Sequence, residues 1–120
     1  MESICRLKDI YKALYAYEKQ FAEKAGITIN EGALLCCMKD GKPKSANELA
    51  DFIGLSGSRV SRIIHTMEEK EFILREIGVS DKRQMIFTLT DAGRKKISEM
   101  KGFNIDVNSL IGKLTSIAGG

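Results

Sequence analysis

The chain has 120 residues, enough for one domain with one real core. Hydrophobic residues make up 43% and charged residues 29%, which excludes a disordered composition. Net charge is only +3, so any case for nucleic-acid binding must rest on where the charges lie.

The longest apolar run, Ala33 to Met38, is far short of the ~20 residues that a membrane span needs. The N-terminus, Met-Glu-Ser-Ile-Cys-Arg, lacks the basic-then-apolar layout of a secretory signal. The three cysteines (Cys5, Cys36, Cys37) suggest neither a disulfide framework nor a Cys-x-x-Cys metal site. A cytoplasmic, reduced protein with no membrane partner is expected. A single proline, Pro43, and few alternating runs point to a mostly helical fold.

Residues 2 to about 25 read as a first helix. Ile4, Leu7, Tyr11, Leu14, Phe21 and Ala25 form a heptad-like seam, widened by Ile10, Ala13 and Tyr17. So broad a face suits a packed core helix or a helix that also meets a second subunit. The small core available to 120 residues favours the second. Gly26 is expected to cap this helix in the left-handed region. Thr28-Ile29-Asn30-Glu31 has capping-box form and opens a second helix to about Lys39, with Leu34, Leu35 and Met38 inward. Asp40 to Lys44 reads as a turn. Ser45-Ala46-Asn47-Glu48 is a second capping box, opening a short third helix that ends at Gly54.

From Ala46 to about Lys70 the pattern is helix-turn-helix. Leu49, Ala50 and Ile53 face inward, Gly54 permits the tight turn, and Leu55 fills the angle between the helices. Ser56 caps the next helix. Val60, Ile63, Ile64 and Met67 recur at i, i+3, i+4 and i+7 and mark its core face. Ser58, Ser61, Arg62 and His65 share the opposite face, flanked by Arg59 and Thr66, and no acid stands between Gly54 and Thr66. Short hydroxyl side chains allow close approach to base edges, and arginine donates to guanine or phosphate. Ser56, Ser58, Arg59, Ser61, Arg62 and His65 are therefore candidate contacts to double-stranded DNA.

After Lys70 the period changes from 3.6 to 2. Phe72 to Ile77 and Gln84 to Leu89 read as a two-stranded ribbon, joined by a loop bearing Lys82 and Arg83, two further DNA-contact candidates. Thr90 caps another helix, with Gly93 inside it for close packing. After Gly102, Phe103, Val107, Leu110, Ile111, Leu114, Ile117 and Ala118 form an apolar stripe on an abbreviated final helix.

These features resemble the MarR family of winged-helix transcriptional regulators. The resemblance is carried by Glu48-Leu49-Ala50, Leu55-Ser56, Val60-Ser61-Arg62, Met67-Glu68-Glu69-Lys70 and, most specifically, Asp81-Lys82-Arg83 followed by Leu89-Thr90-Asp91-Ala92-Gly93. It spans about Thr28 to Met100. It implies a mostly α (α+β) fold: a single winged helix-turn-helix domain over residues 1–120, with residues 1–27 and 91–118 contributing dimerisation helices. It implies a homodimer on a pseudo-palindromic operator, usually repressing, with a small-molecule effector as a further possible partner. Ser58, Ser61 and Arg62 map onto groove-reading positions and Arg83 onto the wing arginine. Asp81, with Arg75, would support the wing. Ile4, Leu7, Tyr11 and Leu14 at one end and Leu110, Ile111, Leu114 and Ile117 at the other are the expected dimer contacts. Where the family usually closes its recognition helix with glycine, this chain has Glu71, which must either adopt a left-handed conformation or let the helix exit differently.

Two other classes compete. A winged helix can serve as a protein-interaction module, but the serine and arginine face favours DNA. A thiol redox sensor through Cys5 is the third reading, with Tyr11, Tyr15 and Tyr17 on the same helix. Cys36 and Cys37 sit in an apolar helix and read as core. No catalytic residue set, metal site or cofactor motif is present, so no enzyme, metal or cofactor is expected.

Overall fold

A computed structural model describes residues 1–78, 84–102 and 107–119, the side chains of 107–109 and 118–119 excepted. The described residues are mostly helical with one small antiparallel sheet. They fall into two compact units. One comprises Met1–Ile29 with Phe103–Gly120, the other Asn30–Gly102.

In the first unit, α1 (Glu2–Ala25) packs along α6 (Val107–Gly119). Gly26 ends α1 in the left-handed region at φ 73°, its amide donating to the Ala22 carbonyl. Ile4, Leu7, Tyr11, Tyr15 and Ile111 are half or more exposed here, from 50% at Leu7 to 69% at Tyr15. Leu14, Leu110, Leu114 and Ile117 are half-buried.

The second unit holds α2 (Ile29–Cys37), β1 (Lys44–Ser45), α3 (Ala46–Ile53), α4 (Gly57–Glu69), β2 (Ile73–Ile77), β3 (Met85–Leu89) and α5 (Asp91–Lys101). Its core is built from Leu34, Leu35 and Met38 of α2 and the turn after it, Leu49 of α3, Val60, Ile64 and Met67 of α4, Ile73 and Phe87 of the sheet, and Ile97 of α5. Each such side chain contributes roughly 1.5–3 kcal/mol on burial. Three of them come from one face of α4, so that helix is held firmly while its other face stays polar.

Local chemistry accounts for most boundaries. Ser45 and Glu48 form a complete capping box at the start of α3, with amide-to-side-chain bonds of 3.2 Å in both directions. Gly54 closes α3 at φ 80°. Ser56 caps α4 and Thr90 caps α5.

The sheet differs from the ribbon expected. It has three strands in the order β1-β3-β2, all antiparallel. The extra strand, Lys44–Ser45, pairs with Phe87 and Ile86. A two-residue strand shows no alternation of its own and is defined by its partner.

Candidate nucleic-acid interface

The helix-turn-helix pairs α3 with α4. Ser56 Oγ accepts from the Arg59 amide at 3.4 Å and lies 3.3 Å from Ser58 Oγ. Val60, Ile64 and Met67 turn into the core and Ile63 is half-buried. Ser56, Ser58, Arg59, Ser61, Arg62 and His65 are all exposed, so α4 brings together every candidate assigned to it. Among the described residues, neither Arg59 nor Arg62 has an ion pair. Both guanidinium groups therefore remain available to an anion or a base edge. Thr66 is half-buried, and its hydroxyl is spent on the Arg62 carbonyl at 3.1 Å. His65 Nε2 meets the Glu69 carboxylate at 2.6 Å, one turn along the exposed face.

The exit of α4 is a complete left-handed cap with a glutamate in the glycine place. Glu71 has φ 64°. Its amide donates to the Glu68 carbonyl at 3.0 Å and the Phe72 amide to the Met67 carbonyl at 3.1 Å. The chain thus takes the first of the two routes that the sequence left open. Thr90 locks the exit from the other side: its amide donates to the Phe72 carbonyl at 3.1 Å and its hydroxyl to the Glu71 carbonyl at 2.6 Å. The same hydroxyl accepts from the Gly93 amide at 3.0 Å.

Among the described residues two ion pairs fasten α4 and its capping residue Lys70 to their surroundings, and sequence reading identified neither. Lys70 Nζ reaches both oxygens of the buried Glu31 carboxylate at 3.3 and 3.4 Å. Arg75 of β2 holds Glu68 of α4 with two bonds, Nε to Oε2 at 3.3 Å and an Nη nitrogen to Oε1 at 2.8 Å. The hydrogen bonds that Arg75 donates to Glu68, and then the charge of that carboxylate, raise the Arg75 pKa above its ordinary value. The only sequence signal for these pairs is opposite charge. One pair joins residues 39 apart, and the other joins residues 7 apart on different elements, a helix and a strand, so no single period links either pair.

Asp81, Lys82 and Arg83, the expected wing contacts, lie outside the described residues. Among the described residues no group of three His, Cys, Asp or Glu side chains could hold a metal ion. No helix among them is long and apolar enough to cross a membrane. Cys5 is exposed, and Cys36 and Cys37 are half-buried rather than fully enclosed in the core.

A profile of the MarR family matches residues 27–85, the stretch from two residues before α2 to the first residue of β3. The chain belongs to the MarR family. Membership of a family of transcriptional regulators sets the chain apart from enzymes, as the sequence suggested. Two Bacillus subtilis (strain 168) relatives, both uncharacterised HTH-type transcriptional regulators, illustrate the range. YpoP is 26% identical over 89 residues, 74% of this chain and 62% of its own length. YwaE is 32% identical over 53 residues, 44% of this chain and 31% of its own. The chain therefore spans less than two thirds of the length of these two relatives.

Solved structures share the MarR fold at low identity. A MepR-like protein complexed with pseudoligands superposes with a TM-score of 0.78 at 20% identity, covering 97% of this chain and 80% of that one. A MarR C80S mutant from E. coli, complexed with operator DNA, gives a TM-score of 0.72 at 18% identity, covering 89% and 77%. BpsR of Bordetella bronchiseptica, whose DNA binding is regulated by 6-hydroxynicotinic acid, gives 0.69 at 18% identity, covering 88% and 80%.

Proposed function

We propose that this chain is a cytoplasmic transcriptional regulator that binds a pseudo-palindromic DNA operator as a homodimer and represses transcription. The observation that carries this reading is the outward face of α4, where Ser58, Ser61 and Arg62 stand exposed with no acid between Gly54 and Thr66. Such a face suits a major groove: serine permits close approach, Arg62 supplies a donor fork, and Arg59 lies beside it for phosphate. The operator-bound E. coli MarR mutant, which shares the fold, supports the same mode here.

The dimer reading rests on the first unit. Ile4, Leu7, Tyr11 and Tyr15 on α1 and Ile111 on α6 leave a long apolar stripe in water, a pattern soluble monomers rarely keep. Helices in residues 1–27 and 91–118 would supply the contact. Tyr15 joins the residues expected from the seam and lies one turn beyond Tyr11. The two α4 helices of the dimer should then sit about 34 Å apart or a near multiple, one turn of duplex. Release by a small-molecule effector is supported by the ligand-regulated DNA binding of BpsR.

The test pairs two measurements. Fragmented genomic DNA is selected on the purified protein, and recovered sequences are assayed by gel shift against scrambled duplex. Light scattering reads the assembly in the same buffer. Recovery of an inverted repeat bound by a dimer is expected. A 13.3 kDa particle at micromolar concentration, or equal affinity for scrambled DNA, would sink the reading.

A further inference from the structure

We propose that Glu68 and Arg75 form a positioning pair that sets the wing strand against the recognition helix, and that Arg75 contributes to DNA affinity through Glu68 and not through its own charge. This rests on the DNA-binding reading above. Glu68 belongs to the last turn of α4, and Arg75 is the middle residue of β2. Their two bonds join the helix that faces DNA to the strand that leads into the hairpin loop. The fork is planar and two-pronged, so it constrains direction as well as distance.

Arg75 is committed on a second side. Its guanidinium carbon lies 5.4 Å from the centroid of the Phe87 ring, its cross-strand partner on β3. Phe87 is buried at 3% exposure. The arginine thus spans from a buried aromatic on the central strand to a carboxylate on the recognition helix. An arginine held on both sides has Nε and one Nη nitrogen engaged by the carboxylate and its guanidinium set over the ring. It contrasts with Arg59 and Arg62, which carry no ion pair among the described residues. The pair also straddles the Glu71 turn, with Glu68 before it and Arg75 after it. That turn fixes where the chain leaves α4, and the pair fixes how the strand then lies against it.

The sign of one substitution separates positioning from charge. Glu68→Gln removes a negative charge from a DNA-facing lobe, and charge alone predicts tighter binding. Positioning predicts weaker binding. The variants are Glu68→Gln, Arg75→Gln, Arg75→Lys and the swap Glu68→Arg with Arg75→Glu, each checked for native unfolding transitions. Affinity is read on the selected operator across a salt series, and amide exchange is read over residues 73–77 and 85–89 without DNA.

We expect Glu68→Gln and Arg75→Gln each to weaken operator binding about tenfold, with Arg75→Lys nearly as weak and the swap recovering much of the loss. The salt slope of Arg75→Gln should match the wild type, since no phosphate contact is removed. Exchange over 73–77 should quicken in Glu68→Gln. Unchanged or tighter binding by Glu68→Gln overturns the proposal. So does full activity of Arg75→Lys, or a salt slope that falls by about one per arginine lost in Arg75→Gln. If the wild type binds no DNA, the functional reading fails by itself and exchange decides the pair. Unchanged protection in Glu68→Gln then overturns it.

Discussion

The carbonyl oxygen of Phe72 occupies the place beside Gly93 where any other residue would carry its Cβ. The Leu89 side chain closes the remaining space at 3.1 Å. The first turn of α5 therefore lies against the backbone leaving α4, and only glycine allows that approach. Gly93→Ala must push α5 away and break the Thr90 bonds to Glu71 and Phe72. A loss of about 3 kcal/mol is expected, seen as a lower urea midpoint at unchanged m-value. A stability within error of wild type would refute this packing.

Glu71 holds φ 64° without the freedom of glycine. Left-handed backbone costs an L-residue roughly 1–2 kcal/mol, partly offset here by the cap bonds and Thr90. Glu71→Gly should raise stability by up to about 1 kcal/mol, and Glu71→Val, β-branched, should lower it. Thermal melts of the two variants should move in opposite directions.

Arg62 is exposed and free of ion pairs among the described residues, one turn beyond Ser58 on the outward face of α4. Arg62→Ala is expected to weaken operator binding by roughly 1–3 kcal/mol and to narrow the gap to random DNA. Titration on operator and scrambled duplex measures both. A uniform loss on the two would reassign Arg62 to phosphate.

Asp40 accepts the Lys42 amide at 2.9 Å and the Lys44 ammonium at 3.0 Å. These bonds, the amide first, hold its carboxyl below the ordinary 3.8. A lowered folded pKa adds stability that is present above the unfolded value and lost as pH falls through the folded one. The bond with Asp40 raises Lys44 above 10.5, so the same pair weakens again at very alkaline pH. Asp40→Asn should flatten the acid limb of the stability profile below about pH 4. Urea midpoints from pH 2 to 7 would reveal it.

The thiols should react in order of access. Cys5 is exposed, whereas burial first of all pushes the Cys37 thiol up, against the nearby Lys44 ammonium. At neutral pH, iodoacetamide followed by peptide mass mapping should show Cys5 modified well before Cys37. Changing all three cysteines to serine should leave operator affinity nearly unchanged. A peroxide-dependent loss that vanishes in Cys5→Ser would instead revive the redox reading.

What could be read in the sequence was what local chemistry decides. The Ser45–Glu48 box, the glycine caps at Gly26 and Gly54 and the two faces of α4 depend on neighbours within a turn or two, and all appear where the pattern puts them. The candidate face was legible for the same reason: periodicity separates Ser58, Ser61 and Arg62 from Val60, Ile64 and Met67. Partners set by tertiary folding were not legible. Lys44–Ser45 is a strand only because Phe87 and Ile86 lie beside it. Glu31 and Lys70 share no sequence neighbourhood, and nothing local distinguishes Glu68 from the equally acidic Glu69. The half-burial of Cys36 and Cys37 likewise depends on how their helix is rotated in the unit, which hydrophobicity alone leaves open.

The short pairing of Lys44 with Phe87 has a consequence for folding order. β1 stands just before the helix-turn-helix and β3 follows it after β2, so their contact closes a loop of about forty residues containing both helices. That closure costs less entropy once α3, α4 and β2 have folded back and shortened the span between the two strands. The two helices of the helix-turn-helix are therefore the inside of a ring, not a separable cassette. A peptide cut after α4 would keep the candidate contact residues and lose the strand that shuts the ring around them.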